Sequence, residues 1–180
     1  MKRILTHSRL LSRIWLIWAM VAGISTISSA QVKVAVNPNR CLRLSEAQRE
    51  WLTPEWQPYL KFSRICPVKD SQRQTVILLL SVRADLYYKA QPGESVTMAV
   101  LPHPILFLPS GHVAGSLPYN FPDDPPAELR VTFTRWEHDF PQQIELFLTD
   151  PRASGNRSLP ALVWSESQRK YLAKEAALHD

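Results

Sequence analysis

The chain has 180 residues and a formal net charge of +5, with 21 Lys and Arg against 16 Asp and Glu. Residues 1–30 carry four of the cations (Lys2, Arg3, Arg9, Arg13) and none of the acids, so residues 31–180 hold 17 against 16, a net of +1. With the basicity confined to that leading segment and no cationic run beyond it, nucleic-acid binding is excluded, because it relies on clustered cations displacing counterions from phosphates.

The leading segment has the layout of an export signal. A basic stretch precedes the apolar block Ile14–Ile24, and Ser28-Ser29-Ala30 supplies small residues before Gln31. The block is shorter than the roughly 20 residues that cross a bilayer, so the exported chain is expected to have no membrane span. Residues 31–180 are expected to be one domain in a periplasmic or secreted compartment. Cys41 and Cys66 are the two cysteines, and an even pair in an oxidising compartment is expected to close into a structural disulfide. Close C-x-x-C spacing, which a reactive thiol pair uses, is not present.

The 15 prolines, all beyond residue 31, argue against long helices, because each removes a donor and restricts its predecessor. In chain order, Val32–Val36 alternates as a first strand ended by Asn37-Pro38-Asn39. Ser45 and Gln48 have the spacing of a reciprocal helix cap, with Leu44, Ala47 and Trp51 on one face of a short helix that Pro54 and Pro58 stop. Thr75 to Lys89 is predicted as a long strand. Its VILLL at 76–80 is apolar on both faces, as in a central strand, and Leu80, Val82, Ala84, Leu86 and Tyr88 then alternate. A turn at Gln91–Glu94 and a return strand Val96–Leu101 follow. Ile105–Leu108, bracketed by Pro104 and Pro109, is predicted as an edge strand. Leu129, Val131 and Phe133, then Ile144, Leu146 and Leu148, form a second hairpin with Phe140-Pro141-Gln142 inside a loop of about six to eight residues. Ala161–Trp164 is a short last strand. Ser165 to Leu178, with Ser165 and Gln168 repeating the cap pattern, is predicted as a C-terminal helix.

The expected fold is α+β and strand-dominated: an antiparallel sheet of about five to seven strands with a short N-terminal helical element and a C-terminal helix. The alternative is an immunoglobulin-like β-sandwich, whose inter-sheet bridge usually joins residues farther apart in sequence than Cys41 and Cys66.

Between the predicted edge strand and the second hairpin lies SGHVAGSLPYNFPDDPP, residues 110–126. A loop longer than about 12 residues without secondary structure is uncommon in a compact domain and often functional. Ser110, His112 and Asp123 are the residue types of a serine hydrolase, but no G-x-S-x-G elbow occurs, and such parts usually come from separate rigid elements. His103, His112 and His138, with Glu137 and Asp139, lack zinc-ligand spacing. Asp123 and Asp124, with Asn120 and Glu128, do not form a calcium loop pattern. No metal or cofactor is expected. Asn156-Arg157-Ser158 is a glycosylation sequon, relevant only in a eukaryotic secretory pathway.

Aromatics carry the remaining signal: Trp51, Trp56 and Tyr59 within the bridged segment, and Tyr119 and Phe121 in the loop. The Ser110-Gly111 turn resembles the projecting loops of periplasmic lysozyme inhibitors over two residues, and no residue role is carried over from it. The function expected is that of a small exported, non-enzymatic binding protein. It meets a protein or envelope partner through loop 109–126, with Ser110, His112, Tyr119, Phe121, Asp123 and Asp124 in contact. Inhibitor and immunity roles belong to this class. The alternatives are an accessory subunit of an envelope assembly, working by strand addition at Ile105–Leu108, and a hydrolase using Ser110, His112 and Asp123.

Overall fold

The structure, a computed structural model, describes residues 32–90, 101–118, 128–150 and 156–174, all within the unit Gln31–Asp180. Among them nine strands form: β1 (Val34–Ala35), β2 (Ser63–Lys69), β3 (Thr75–Val82), β4 (Ile105–Phe107), β5 (Val113–Ser116), β6 (Glu128–Glu137), β7 (Phe140–Thr149), β8 (Arg157–Ser165) and β9 (Lys170–Ala173). Two short helices, α1 (Glu46–Arg49) and α2 (Ala84–Lys89), and 3-10 turns at Pro38–Arg40 and Pro54–Tyr59 complete the described elements. The strands make two antiparallel sheets. Sheet I has the order β1-β6-β7-β8-β9 and sheet II the order β2-β3-β4-β5.

The two sheets share one core. Phe133, Val131, Ile144 and Leu146 of sheet I bury against Ile77, Leu79, Leu106 and Ala114 of sheet II, because alternate residues of each strand point to one face. At the side where the sheets meet, Gly115 of β5 lies against the backbone of Tyr171 in β9, where a Cβ would sit 3.2 Å from the Tyr171 carbonyl oxygen.

Sheet II is covered on its other face as well. Leu78, Leu80, Val82 and Phe107 bury there against Leu44, Trp56 and Ala84 of the segments around α1, the second 3-10 turn and α2. The VILLL run therefore has the double burial that its composition implies: Ile77 and Leu79 face sheet I, and Leu78 and Leu80 face the helical layer. β3 is an inner strand, paired with both β2 and β4.

The N-terminal helical element is present. Ser45 Oγ accepts from Gln48 N at 3.3 Å, and Gln48 Oε1 accepts from Ser45 N at 3.0 Å. Leu44 is buried and Trp51 half-buried, but Ala47 is exposed, since the helix is a single turn. The disulfide Cys41–Cys66 is formed and ties this segment to β2.

Several predicted elements are corrected. The strand from Thr75 stops at Val82, and 84–89 is helical. The alternation of Leu80, Val82, Ala84, Leu86 and Tyr88 is interrupted by an Arg83–Asp85 fork, with Nε to Oδ1 at 2.8 Å and Nη2 to Oδ2 at 2.7 Å. This turns the chain so that Tyr87 meets Tyr59 and Phe62, ring centroids 5.4 Å apart in each pair. The predicted turn at Gln91–Glu94 and return strand Val96–Leu101 fall outside the described residues, except Leu101, which is buried and in no strand. β4 is not an edge strand, because β5 pairs with its free side. Pro104 and Pro109 lie just outside the ladder, so neither removes a donor that it needs.

The β6–β7 loop has two residues instead of six to eight. His138 and Asp139 both take positive φ, 48° and 59°, the backbone of a primed two-residue turn. Phe140, Pro141 and Gln142 are in β7. The segment Ala161–Trp164 is part of the longer β8 and is followed by another strand.

The largest correction is at the C-terminus, where the predicted helix from Ser165 is instead a β8–β9 hairpin. Ser165 Oγ does accept from Gln168 N, at 3.3 Å, but the bond closes the turn Glu166–Arg169, in which Arg169 has φ 53°. Tyr171 is buried in β9, donates its hydroxyl to the Pro141 carbonyl, and packs on Phe140 and Trp164.

Burial pushes the Tyr171 phenol far above its ordinary value. In the unfolded chain this phenol ionises at about pH 10, whereas the folded protein keeps it protonated. Its contribution to stability is therefore complete below about pH 10 and declines as pH rises beyond it. Thermal midpoints measured across that range are expected to fall for the wild type. Tyr171→Phe should cost about 1–2 kcal/mol at neutral pH, from the lost hydrogen bond, and flatten the alkaline decline.

Candidate functional site

The segment expected to contact a partner is not one structureless loop, because β5 occupies Val113–Ser116 within it. Of the six residues predicted to bind, Ser110 and His112 lie in the tight β4–β5 turn, both exposed. Tyr119, Phe121, Asp123 and Asp124 lie outside the described residues, as does the Asp123 needed for a triad.

The turn is held from both sides. Leu108 N donates to His112 O at 2.8 Å, and Gly111 N donates to Leu108 O at 2.9 Å. Gly111 has φ +86°, which only glycine adopts freely, and it lies beneath the Trp51 indole so closely that a Cβ would come within 2.7 Å of two ring atoms. Trp51 in turn packs on Phe107, ring centroids 5.4 Å apart. Trp51 thus links the bridged N-terminal layer to the turn.

Gly111→Ala is expected to lose about 1–3 kcal/mol, from the left-handed backbone and the displaced indole. Urea unfolding followed by Trp fluorescence measures it; a change below about 0.5 kcal/mol would mean that Trp51 does not fix the turn.

The histidines and acids do not assemble. His103, His112 and His138 are all exposed, and among the described residues no group of three or more His, Cys, Asp or Glu is placed to hold a metal ion. Asp139 instead accepts from Ser71 Oγ at 2.7 Å, joining the β2–β3 turn to the β6–β7 turn.

Sequence reasoning missed a second surface, built around the disulfide. Leu42 and Ile65 exchange both backbone hydrogen bonds, at 2.8 and 2.9 Å. In that antiparallel register the neighbouring pairs are Cys41 with Cys66 and Arg43 with Arg64. Arg43 and Arg64 thus flank the single Leu42–Ile65 bridge, and both line a groove of about 470 Å³, as do Arg49 and Lys61. Leu60, Phe62 and Leu86 supply its apolar wall. The legible signal was a cation two residues after the first cysteine and another two residues before the second.

The outer face of sheet I carries a depression of similar size, about 450 Å³. Its cations are already engaged: Lys33 pairs with Glu145 at 3.5 Å, and Arg130 stacks over Phe147 at 4.8 Å.

Compared with known families, curated proteins and solved structures, the chain gives no match. The Cys41–Cys66 bridge is compatible with an extracellular or periplasmic protein. No helix among the described residues is long and apolar enough to cross a membrane.

Proposed function

We propose that the chain is a small exported, non-enzymatic binding protein, periplasmic or secreted, that holds a protein or envelope partner at the β4–β5 turn and the residues after it, 109–126. The observation that carries this reading is the seating of Gly111 beneath Trp51, which presents Ser110 and His112 outward on a turn whose shape is set before any partner arrives. A preset turn loses little conformational entropy on docking, so more of its contact energy appears as affinity. Val113, 42 % exposed, adds apolar area beside it. Inhibition or neutralisation of an envelope-acting enzyme is a function of this kind.

The test is affinity capture from the native envelope with the wild type and with a variant carrying His112→Ser, Tyr119→Ser and Phe121→Ser. The variant is expected to keep its unfolding midpoint and to retain at least about tenfold less partner, as loss of interface aromatics does. Equal retention by both proteins would reject the turn as the contact.

A further inference from the structure

The arginine groove is arranged at a cost that the fold itself does not need. Like charges held close together on paired chain segments are destabilising, yet the Cys41–Cys66 bridge and the Leu42–Ile65 hydrogen bonds fix the segments that carry Arg43 and Arg64, which line one groove. Among the described residues the two ion pairs are Lys33–Glu145 and Arg83–Asp85, so none of the groove's four cations has a carboxylate partner. Asp85, whose charge bears on Arg64, has both of its oxygens in hydrogen bonds to Arg83.

Arg64 is also preset. Its Nη1 donates to the Ser63 carbonyl at 2.7 Å and the Lys61 carbonyl at 3.2 Å, which leaves its remaining donors for a ligand. Burial, and after it the charges of Arg43 and Arg83, hold the Arg64 guanidinium below its usual value, with Asp85 opposing. An anion set between Arg43 and Arg64 would relieve that repulsion, and a guanidinium fork suits a carboxylate.

We propose that this groove binds an acidic peptide segment of a partner protein, with carboxylates on Arg43 and Arg64 and an apolar side chain against Leu60, Phe62 and Leu86. The size fits a short segment, because recessed ligand sites span about 300 to 1,000 Å³. An anionic membrane or a long polyanion draws on many cations over a broad face. Beyond residue 30 the chain has a net charge of +1, so an extended polyanion would meet nearly as many acids as bases. The apolar wall also gives a bare phosphate nothing to use. This site is separate from the β4–β5 turn and does not depend on it.

The test is fluorescence anisotropy with the bridge intact, using labelled hexapeptides that permute two Glu, two Leu and two Gly. Matched peptides with Lys for Glu, vesicles of phosphatidylglycerol and inorganic phosphate serve as the other arms. The Glu peptides are expected to bind at low ionic strength, to weaken about tenfold or more in 0.5 M salt, and to lose about tenfold in Arg43→Gln/Arg64→Gln. Arg43 and Lys61 are exposed, so Arg43→Gln/Lys61→Gln should lose the peptide with an unchanged or higher thermal midpoint. His112→Ser should leave peptide binding as it is, which separates this result from the fate of the turn. No binding of any Glu peptide, equal binding of the Lys peptides, equal binding by the glutamine variants, or vesicles or phosphate bound in place of peptide would each overturn the proposal.

Discussion

Trp56→Ala is expected to destabilise the protein by about 3–5 kcal/mol, the range for removing a large buried aromatic. Trp56 sits in the second 3-10 turn, 1 % exposed, in the cluster that contains Leu44, Leu80, Val82 and Phe107. The Pro54–Tyr59 segment, with prolines at both Pro54 and Pro58, has little freedom to collapse into the space left behind, so the cavity term should be near its upper end. Urea unfolding followed by circular dichroism measures this. A loss under about 1 kcal/mol would mean that the helical layer is not packed on sheet II and that the sheet's outer face is stabilised in another way.

The second large effect concerns the bridge. Cys41→Ala/Cys66→Ala is expected to lose about 3–4 kcal/mol, because the crosslink closes 25 residues of separation and thereby restricts the unfolded chain. Guanidinium unfolding of the variant, or of the wild type with and without reductant, reports the loss. The same bond holds the Leu42–Ile65 register, so breaking it should weaken acidic-peptide binding in step with Arg43→Gln. Trp56 lies inside the bridged segment, and the two losses should therefore be non-additive in a double-mutant cycle. Additive losses would show that the bridge and the Trp56 cluster stabilise independent parts of the fold.

The two candidate surfaces were only partly legible in the sequence. Ser110, Gly111 and His112 were visible as an unusual turn, but Trp51, 60 residues earlier, is what holds Gly111 in place. The Arg43–Arg64 pair was missed because neither residue is remarkable alone. It exists only once the disulfide and the Leu42–Ile65 bonds set a register, and register is a property of two strands together.

By itself the sequence determined what depends on local periodicity and local bonds. The alternation in β6 and β7 and the Ser45–Gln48 cap are each settled by neighbours a few residues away, VILLL carries the demand for double burial in its own composition, and the pairing of Cys41 with Cys66 had no competitor. Only tertiary structure decided the rest. Ala84 to Tyr88 suits a strand or a helix by pattern, and contact of Tyr87 with Tyr59 and Phe62 accompanies the helix. Ser165 and Gln168 form the same bond that a helix cap would form, yet pairing with β8 and burial of Tyr171 beneath Phe140 and Trp164 make the chain after them a strand. Ile105–Phe107 is interior because β5 lies alongside it. In each case the deciding energy comes from a partner distant in sequence, and no local pattern encodes its position.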